Sequence, residues 1–262
     1  MIGQPLKPKK DSIGSSNDRS VIRAGQILKA FSDTGNQDLG ISEIAARTDL
    51  SLSTAHRIVR SLVDIGLLAQ NNATGKYKLG NLVIDLGRQA TDVRGLDIQA
   101  YPEMQSLVDD TGEGVNLGVL VRQRVVYVQR IFGHHPLRTD FPVGTDVPVH
   151  CSAIGKSILA FSENSTVEDC IQYDFKPRTA HTLNDLDMFW NQLRGIQKSG
   201  YSIDREEFIE GITCIGAPIF AGKRVIAGLA VQAPSSRMTE QVIAHTIPKV
   251  IHAAENISRS IM

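Results

Sequence analysis

The alternation of apolar and polar positions is clearest over residues 41–80, where it predicts a helix, a tight turn, a second helix and a short β-hairpin. Ser51 precedes the second helix and is expected to cap it, because its side-chain oxygen can accept a backbone N–H. Helical spacing predicts one buried face, formed by Ala55, Ile58, Val59, Leu62 and Ile65. This order of elements is typical of a winged helix-turn-helix, which places its second helix in the DNA major groove.

The opposite face of that helix and the hairpin carry the candidate DNA-binding residues. Hydroxyl, imidazole and guanidinium groups concentrate near the N-terminal end of the helix, which in this motif reaches base edges. Two lysines of the hairpin suit phosphate contacts. The candidates are Ser51, Ser53, Thr54, His56, Arg57, Arg60, Lys76 and Lys78. An ordinary solvated helix face is the alternative, and the neighbouring turn and hairpin argue against it.

Helices are predicted on both sides of this motif. Residues 21–31 have a helical apolar spacing, and a turn is expected over residues 33–40. Residues 82–94 continue with helical spacing until Gly95, and another amphipathic helix is expected over 97–110. The first of these two is interpreted as a linker and the second as the entry to another domain.

The rest of the chain alternates between strand and helix patterns. Strands are predicted at residues 115–121, 124–132, 137–141, 212–220 and 224–231, and helices near 152–161, 166–173, 185–198 and 239–261. Hairpin strands flanked by helices favour an antiparallel α+β sandwich. The expected organisation is therefore α+β, with a flexible arm at 1–18, a winged helix-turn-helix at 19–80, a linker helix at 81–96 and a second domain at 97–262.

Charge distribution supports this division. Residues 1–80 contain 11 Lys and Arg against 7 Asp and Glu, whereas the remaining residues contain 17 against 21. A basic first part and an acidic second part are expected if only the first part meets phosphates. No apolar run approaches the roughly 20 residues that a membrane-spanning helix needs, and the first residues lack the apolar core of a signal peptide. Three widely spaced cysteines favour reduced thiols and a cytoplasmic location.

The tripeptide Gly-Lys-Ser at residues 155–157 invites a phosphate-binding reading. A Walker A loop would require glycine where His150 stands, so close packing of Gly155 at a helix start capped by Ser152 is the preferred interpretation. His150 and Cys151 lack the spacing of a metal-binding pair, and no metal is expected.

Several carboxylates raise the question of catalysis. Asp204, Glu206 and Glu207 lie close together, yet the chain has no recognisable nucleophile–base pair and no cofactor fingerprint. These groups are expected to order a loop or to meet a ligand, and neither an enzyme nor a cofactor is predicted. Cys214 lies in an apolar strand and is expected to be a buried, inert thiol.

Taken together, the segments resemble the IclR family of bacterial transcriptional regulators over residues 19–262. The resemblance rests on RAGQILKAF, ISEIAARTDLSLSTAHRIVRSLVDIGLL, GKYKLG, VPVHCSAIGKSILAF, GYSIDREEFIEGITCIGAPIF and AGLAVQAPSSR. It implies a winged helix-turn-helix that dimerises on a pseudo-palindromic operator. It also implies a GAF-like effector domain, commonly assembled as a dimer of dimers.

The resemblance further implies a pocket for a small organic acid or an aromatic catabolite. The matching positions are Thr139, Val147, Ser152, Ala153, Ile154, Asp204, Ile212, Cys214, Ala230 and Gln232. Backbone N–H groups over residues 152–155 would suit a ligand carboxylate. Ala230 and Gln232 stand where serines occur in one well-known pattern, so the size and polarity of the ligand are expected to differ.

The resulting expectation is a ligand-responsive regulator whose effector changes DNA affinity or polymerase recruitment. The partners would be operator DNA, a small-molecule effector, further copies of the chain and RNA polymerase, with no membrane. The helix over residues 82–94 would pass the preference of the effector domain to the DNA-binding modules. Two alternatives stay open: a constitutive or redox-sensing regulator with a vestigial pocket, and a small-molecule enzyme with an accessory DNA-binding domain.

Overall fold

The structure, a computed structural model, describes residues 16–31, 38–90 and 95–261. The chain divides into two compact units, residues 1–91 and 92–262. Most of the expected arm and of the turn at 33–40, and the end of the expected linker helix, lie outside the described residues. Helix α1 spans Ser16–Lys29, so it begins within the segment expected to form the arm.

The first unit is a small helical bundle with a two-stranded wing. Its remaining elements are α2 (Ile41–Thr48), α3 (Leu52–Asp64), β1 (Leu68–Gln70), β2 (Tyr77–Leu79) and α4 (Asn81–Ala90). Strands β1 and β2 pair antiparallel with Leu68 opposite Leu79. Tyr77 of β2 is buried and forms a β-bridge to Leu39.

Helix α3 is placed by its buried face and by its cap. Four of the predicted apolar residues, Ala55, Ile58, Val59 and Leu62, are buried in the described part of the unit. The prediction for Ile65 is wrong: its side chain is 58% exposed, because α3 ends at Asp64 and Ile65 has left the helical repeat. The Ser51 hydroxyl accepts the N–H of Thr54 at 3.3 Å, which confirms the predicted cap.

The second unit is built on an antiparallel sheet. Its strands are β3 (Gly114–Val121), β4 (Arg124–Ile131), β5 (Asp146–Pro148), β6 (Ser202–Arg205), β7 (Ile212–Ala221) and β8 (Arg224–Pro234), in the spatial order β5-β4-β3-β8-β7-β6. Its helices are α5 (Leu96–Thr111), α6 (Ala153–Ala160), α7 (Asn164–Tyr173), α8 (Leu186–Ser199) and α9 (Glu240–Ser260). The α+β class with a curved sheet is confirmed. At the sheet's centre, Arg237 after β8 donates to both carboxylate oxygens of Glu113 before β3, at 2.5 and 2.7 Å.

Period-two alternation assigns the two faces of the sheet. Val115, Leu117 and Val119 of β3 point into a core shared with α5 and α9. The opposite face of the sheet packs against α6 and α8 and forms a second core, which includes Ile154 and Phe189.

One predicted strand is wrong. Residues 137–141 form no strand in the structure, because Arg130 donates hydrogen bonds from its guanidinium to the carbonyls of Thr139 and Phe141. Those carbonyls are therefore occupied by a side chain and do not join a ladder. On the side of β4 away from β3, the pairing strand is the short β5, with Val125 opposite Val147. Neither β5 nor β6 was predicted.

Helix α6 lies directly on the backbone of the sheet. A Cβ atom added to Gly216 would stand 2.9 Å from the carbonyl carbon of Ala153, and one added to Gly228 would stand 2.9 Å from Ile154 Cγ2. Ser202 also donates its hydroxyl to the Ala153 carbonyl at 2.6 Å. The first turn of α6 can therefore approach the sheet closely because these glycines have no side chain, and one buried hydrogen bond from β6 holds it there.

We predict that Gly216→Ala lowers the free energy of unfolding by about 1–3 kcal/mol, because the new methyl group would meet backbone atoms that cannot rotate away. Gly195→Ala is the matched control. Gly195 is exposed within α8 and has no atom within 4 Å of an added Cβ, so this change should stabilise by up to about 1 kcal/mol. Urea titration of both variants measures the difference, and equal effects would contradict the close seating of α6.

Candidate functional site

The first candidate surface is the exposed face of α3. Ser53, His56, Arg57 and Arg60 are exposed there, and no ion pair links Arg57 or Arg60 to another described residue. The two guanidinium groups are three residues apart, which places them on one side of the helix. They are thus available for an outside partner that carries acceptors or negative charge.

The remaining predicted DNA-binding residues have additional roles. Ser51 and Thr54 are joined by a hydroxyl–hydroxyl bond of 2.8 Å as part of the helix cap. Lys76 and Lys78 are exposed on the wing, and Lys76 lies 3.8 Å from Glu43, an exposed ion pair of little energetic weight. The structure thus separates cap residues from the arginines that project outward.

The second candidate site is a small cavity between the N-terminus of α6 and the sheet. The centre of a water molecule can occupy a volume of about 10 Å³ in it, so the cavity has room for about one water. Its lining residues are Asn116, Tyr127, Ser152, Ala153, Ile154, Asp204, Phe208, Ile209, Ile212, Cys214, Ala230 and Gln232. A larger ligand would have to displace part of this wall.

Eight of the ten expected pocket positions line this cavity. Thr139 and Val147 do not. Val147 is fully buried in the core beside Val125, its partner in the β4–β5 ladder. Thr139 lies in the segment between β4 and β5, where its carbonyl accepts from Arg130.

Cross-strand register explains why residues distant in sequence meet here. Asp204, Cys214 and Gln232 are direct partners across β6, β7 and β8, so their side chains share one face of the sheet. Ala230 and Asn116 are partners in the neighbouring row on β8 and β3. The floor of the cavity is therefore a polar patch on an otherwise apolar sheet face.

The N-terminus of α6 supplies the roof. The Ser152 hydroxyl accepts the Gly155 N–H at 3.2 Å and donates to the Pro148 carbonyl at 2.6 Å. The N–H groups of Ala153 and Ile154 form no hydrogen bond to any residue that the structure describes. They border the cavity and carry the positive end of the helix dipole.

A buried ionic cluster adjoins the cavity. The ammonium group of Lys156, whose side chain is fully buried, donates to the Ile203 carbonyl at 2.6 Å and to the Glu207 carboxylate. The lysine of the Gly-Lys-Ser tripeptide is thus used inside the protein. This explains the residue without a phosphate, and close packing of Gly155 is confirmed, since an added Cβ would collide with the Val149 backbone.

Asp204 links this cluster to the cavity wall. Its carboxylate accepts the N–H of Glu207 at 2.7 Å and that of Phe208 at 3.4 Å. Burial raises the pKa of Asp204 to about 7, against the opposing effects of Lys156 and these two hydrogen bonds. The side chain therefore changes charge near neutral pH.

The segment 206–211 covers the cavity and is itself held by hydrogen bonds. Thr179 donates to the Glu206 carbonyl at 2.7 Å, and Thr182 donates to the Glu207 carbonyl at 2.5 Å. Phe208 packs against Phe141, with ring centroids 6.3 Å apart. This cover joins the cavity to the segment between β4 and β5, and it lies outside the strands of the sheet.

The three cysteines are buried and unbridged. Burial raises the pKa of Cys151 to about 12 and that of Cys170 to about 11, and it raises the pKa of Cys214 well above its ordinary range. Thiols in this state are poor nucleophiles, which agrees with the interpretation of Cys214 as an inert buried thiol.

Four cavity residues were missed by sequence reasoning: Asn116, Tyr127, Phe208 and Ile209. A signal existed for Asn116, because an amide interrupts the otherwise apolar strand VNLGVLV. The buried pair of Lys156 and Glu207 was also missed, since the two residues are distant in sequence.

The described residues contain no group of three or more histidine, cysteine or acidic side chains arranged to hold a metal ion. Among their helices, none combines the length and apolar character needed to cross a membrane.

A helix-turn-helix with a wing, together with a separate unit that contains a cavity with polar and apolar walls, is the organisation of a ligand-responsive, DNA-binding transcriptional regulator. Residues 88–259 match the family model described as bacterial transcriptional regulator IclR C-terminal, and residues 20–72 match the IclR helix-turn-helix domain. The chain belongs to the IclR family.

Curated relatives and solved structures agree with this assignment. The regulator KdgR of Dickeya chrysanthemi is 33% identical over 97% of this chain and 81% of its own length. KdgR of Escherichia coli is 30% identical over 98% of this chain and 96% of its own length. An IclR homologue from Microbacterium hydrocarbonoxydans, solved in complex with 4-hydroxybenzoate, has a TM-score of 0.81 and 26% identity, covering 92% of this chain and 98% of that one.

We predict that Asp204→Asn changes the pH dependence of stability. The folded-state pKa of about 7 lies above the unfolded value near 4, so between these pH values the folded protein holds a proton that the unfolded chain has released. Wild-type stability should therefore fall as pH rises through this window, and asparagine, which cannot ionise, should escape the loss. The difference in free energy of unfolding, variant minus wild type, should be more than about 1 kcal/mol larger at pH 8 than at pH 5.

Asp187→Asn, at an exposed position of α8, is the control and should show no such pH-dependent gain. A constant difference between wild type and Asp204→Asn across this pH range would refute the assignment.

Proposed function

We propose that the cavity binds a small organic acid whose carboxylate is received by the backbone N–H groups of Ala153 and Ile154. The observation that carries this proposal is the presence of two unused donors at a helix N-terminus that borders an enclosed cavity. Such a terminus attracts anions through its N–H groups and its dipole. The complex of the Microbacterium relative with 4-hydroxybenzoate supports an acid of this class.

The other proposed contacts follow from the lining. Ile212 and Ala230 would pack against the carbon skeleton of the acid, while Asp204, Cys214 and Gln232 would meet its polar substituents. Asp204 matters for affinity, because a second negative charge near an ionised carboxylate is unfavourable. We expect the acid to bind more tightly when Asp204 is protonated.

Binding should move the cover of the cavity. The present cavity accommodates about one water, so an acid with several carbon atoms must shift Phe208 and Ile209 outward. That shift alters the hydrogen bonds of segment 206–211 and favours one arrangement of the effector unit over another. The segment over residues 81–96, which begins with α4, would convey this preference to the winged helix, so that effector changes operator affinity or polymerase recruitment.

The DNA-binding part of the proposal assigns base and phosphate contacts to α3 and the wing. Arg57 and Arg60 suit guanine edges or phosphates, with Ser53 and His56 beside them, and Lys76 and Lys78 suit phosphates. A dimer would present two α3 helices to the half-sites of a pseudo-palindromic operator, and two dimers would form the tetramer. The regulator would act in the cytoplasm.

The two rival functions have less support. The relatives are named as transcriptional regulators, which agrees with a protein that is not an enzyme. A redox-sensing regulator would need a reactive thiolate, whereas burial raises the pKa of all three thiols.

For the effector site we predict that Ala153→Pro weakens binding of the acid at least about tenfold, because proline removes one of the two donors. Proline is tolerated at the first helical position, and Ser152 already has the extended backbone that a following proline requires. Calorimetric titration of the full chain with a panel of aliphatic and aromatic monocarboxylic acids, each added singly, measures the change. Asn164→Pro, at the first position of the exposed start of α7, is the matched control. Equal affinities in the two variants would argue against the N–H site.

For the DNA surface we predict that Arg57→Ala reduces affinity for operator DNA by about five- to a hundredfold, because a bidentate base contact contributes roughly 1–3 kcal/mol. DNA fragments selected by the wild-type protein from a random library serve as probe, in a mobility-shift assay. Arg194→Ala removes the same charge from an exposed position of α8 and should bind DNA normally. Acid binding should be unchanged in Arg57→Ala, and its loss in a folded variant would contradict the division of labour.

A further inference from the structure

An unsatisfied amide stands in the wall of the cavity. Asn116 is 2% exposed, and its Nδ2 donates to Gln232 Oε1 at 2.6 Å. Its Oδ1 is buried and has no hydrogen-bond partner among the described residues. Among the described residues five buried side-chain atoms are left unpaired, and only Asn116 Oδ1 belongs to a residue that lines the cavity.

A buried acceptor without a donor is unfavourable, by an amount comparable to a lost hydrogen bond. Exchanging the oxygen and nitrogen assignments of the two amides leaves the same kinds of group unpaired. A single bond between two primary amides uses one N–H and one oxygen, and it leaves one oxygen and one NH₂ group unused in either assignment. A ligand hydroxyl can both donate to this oxygen and accept from this N–H, and it is small enough for a cavity of this size.

The sheet register sets the distance from this amide pair to the proposed carboxylate position. Ala153 lies against Gly216 on β7, and Gly216 is paired with Ala230 on β8, which is paired with Asn116 on β3. Neighbouring strands are about 4.8 Å apart, so Gln232 and Asn116 lie roughly 5 to 10 Å from the N-terminus of α6. Asn116, two strands from Gly216, lies at the far end of this range, beyond the roughly 8 Å that a hydroxyl next to the carboxylate spans through its hydrogen bonds.

We infer that Asn116 and Gln232 form a hydroxyl-specific subsite, so that the effector is an organic acid with a hydroxyl remote from its carboxylate. This inference rests on the proposed function, because the register is measured from the carboxylate end. Asn116 determines specificity here and Gln232 orients its amide. An acid without the remote hydroxyl binds less well, since it leaves the amide oxygen buried and unpaired.

Matched acids provide the test. The full chain is titrated calorimetrically with benzoate, 2-hydroxybenzoate and 4-hydroxybenzoate, and with pentanoate and 5-hydroxypentanoate. In the aromatic series, the aliphatic series or both, the acid with the remote hydroxyl should bind about ten- to a hundredfold more tightly than the acid without it. The hydroxyl of 2-hydroxybenzoate, adjacent to the carboxylate, should give no gain over benzoate.

The variant Asn116→Leu/Gln232→Met removes both amides together and leaves neither one unpaired. It should bind the unsubstituted acid at least as tightly as wild type and show no preference for the hydroxylated acid. Retention of the preference in this variant would overturn the inference.

The remaining outcomes separate the two proposals. If the acids bind but the remote hydroxyl gives less than a twofold gain, solvent satisfies the amide and the hydroxyl subsite is refuted, while the acid site stands. If no acid of the panel binds, both proposals fail.

Discussion

The structure of the effector unit depends on the close contact between α6 and the sheet. Gly216 and Gly228 allow the first turn of the helix to rest on backbone atoms, and side chains at these positions would lift it by the thickness of a methyl group. The cavity is the space left where the helix begins, between its unused N–H groups and the side chains of β6, β7 and β8. Its size and polarity are therefore consequences of a packing constraint.

The same contact accounts for the buried charges. Because α6 is pressed against β6, the side chain of Lys156 cannot reach solvent and must find partners inside, which it does at Ile203 and Glu207. Replacing such a pair by apolar groups is often neutral or stabilising, so the pair is weak evidence for stability. It holds Glu207, and with it the segment 206–211 that covers the cavity, while burial raises the pKa of Asp204 at the cavity wall despite the nearby Lys156.

Sequence reasoning succeeded where one local pattern determines the outcome. The cap at Ser51 follows from its side-chain oxygen at the start of the pattern, and the buried face of α3 up to Leu62 and the helices at 185–198 and 239–261 follow from apolar spacing. It failed where a distant side chain intervenes: the expected strand at 137–141 is absent because Arg130 takes its carbonyls. Similarly, Asn116 joins the cavity through pairing with β8, a register that a single sequence does not reveal.

The central pairing of β3 with β8 has a consequence for biosynthesis. Glu113 precedes β3 and Arg237 follows β8, and the two residues are 124 positions apart in the sequence. The ladder therefore cannot form until most of the chain has left the ribosome. The winged helix needs only short-range pairings such as Leu68 with Leu79. The first unit, which contains the winged helix, is therefore able to fold during synthesis, before the second unit has been made.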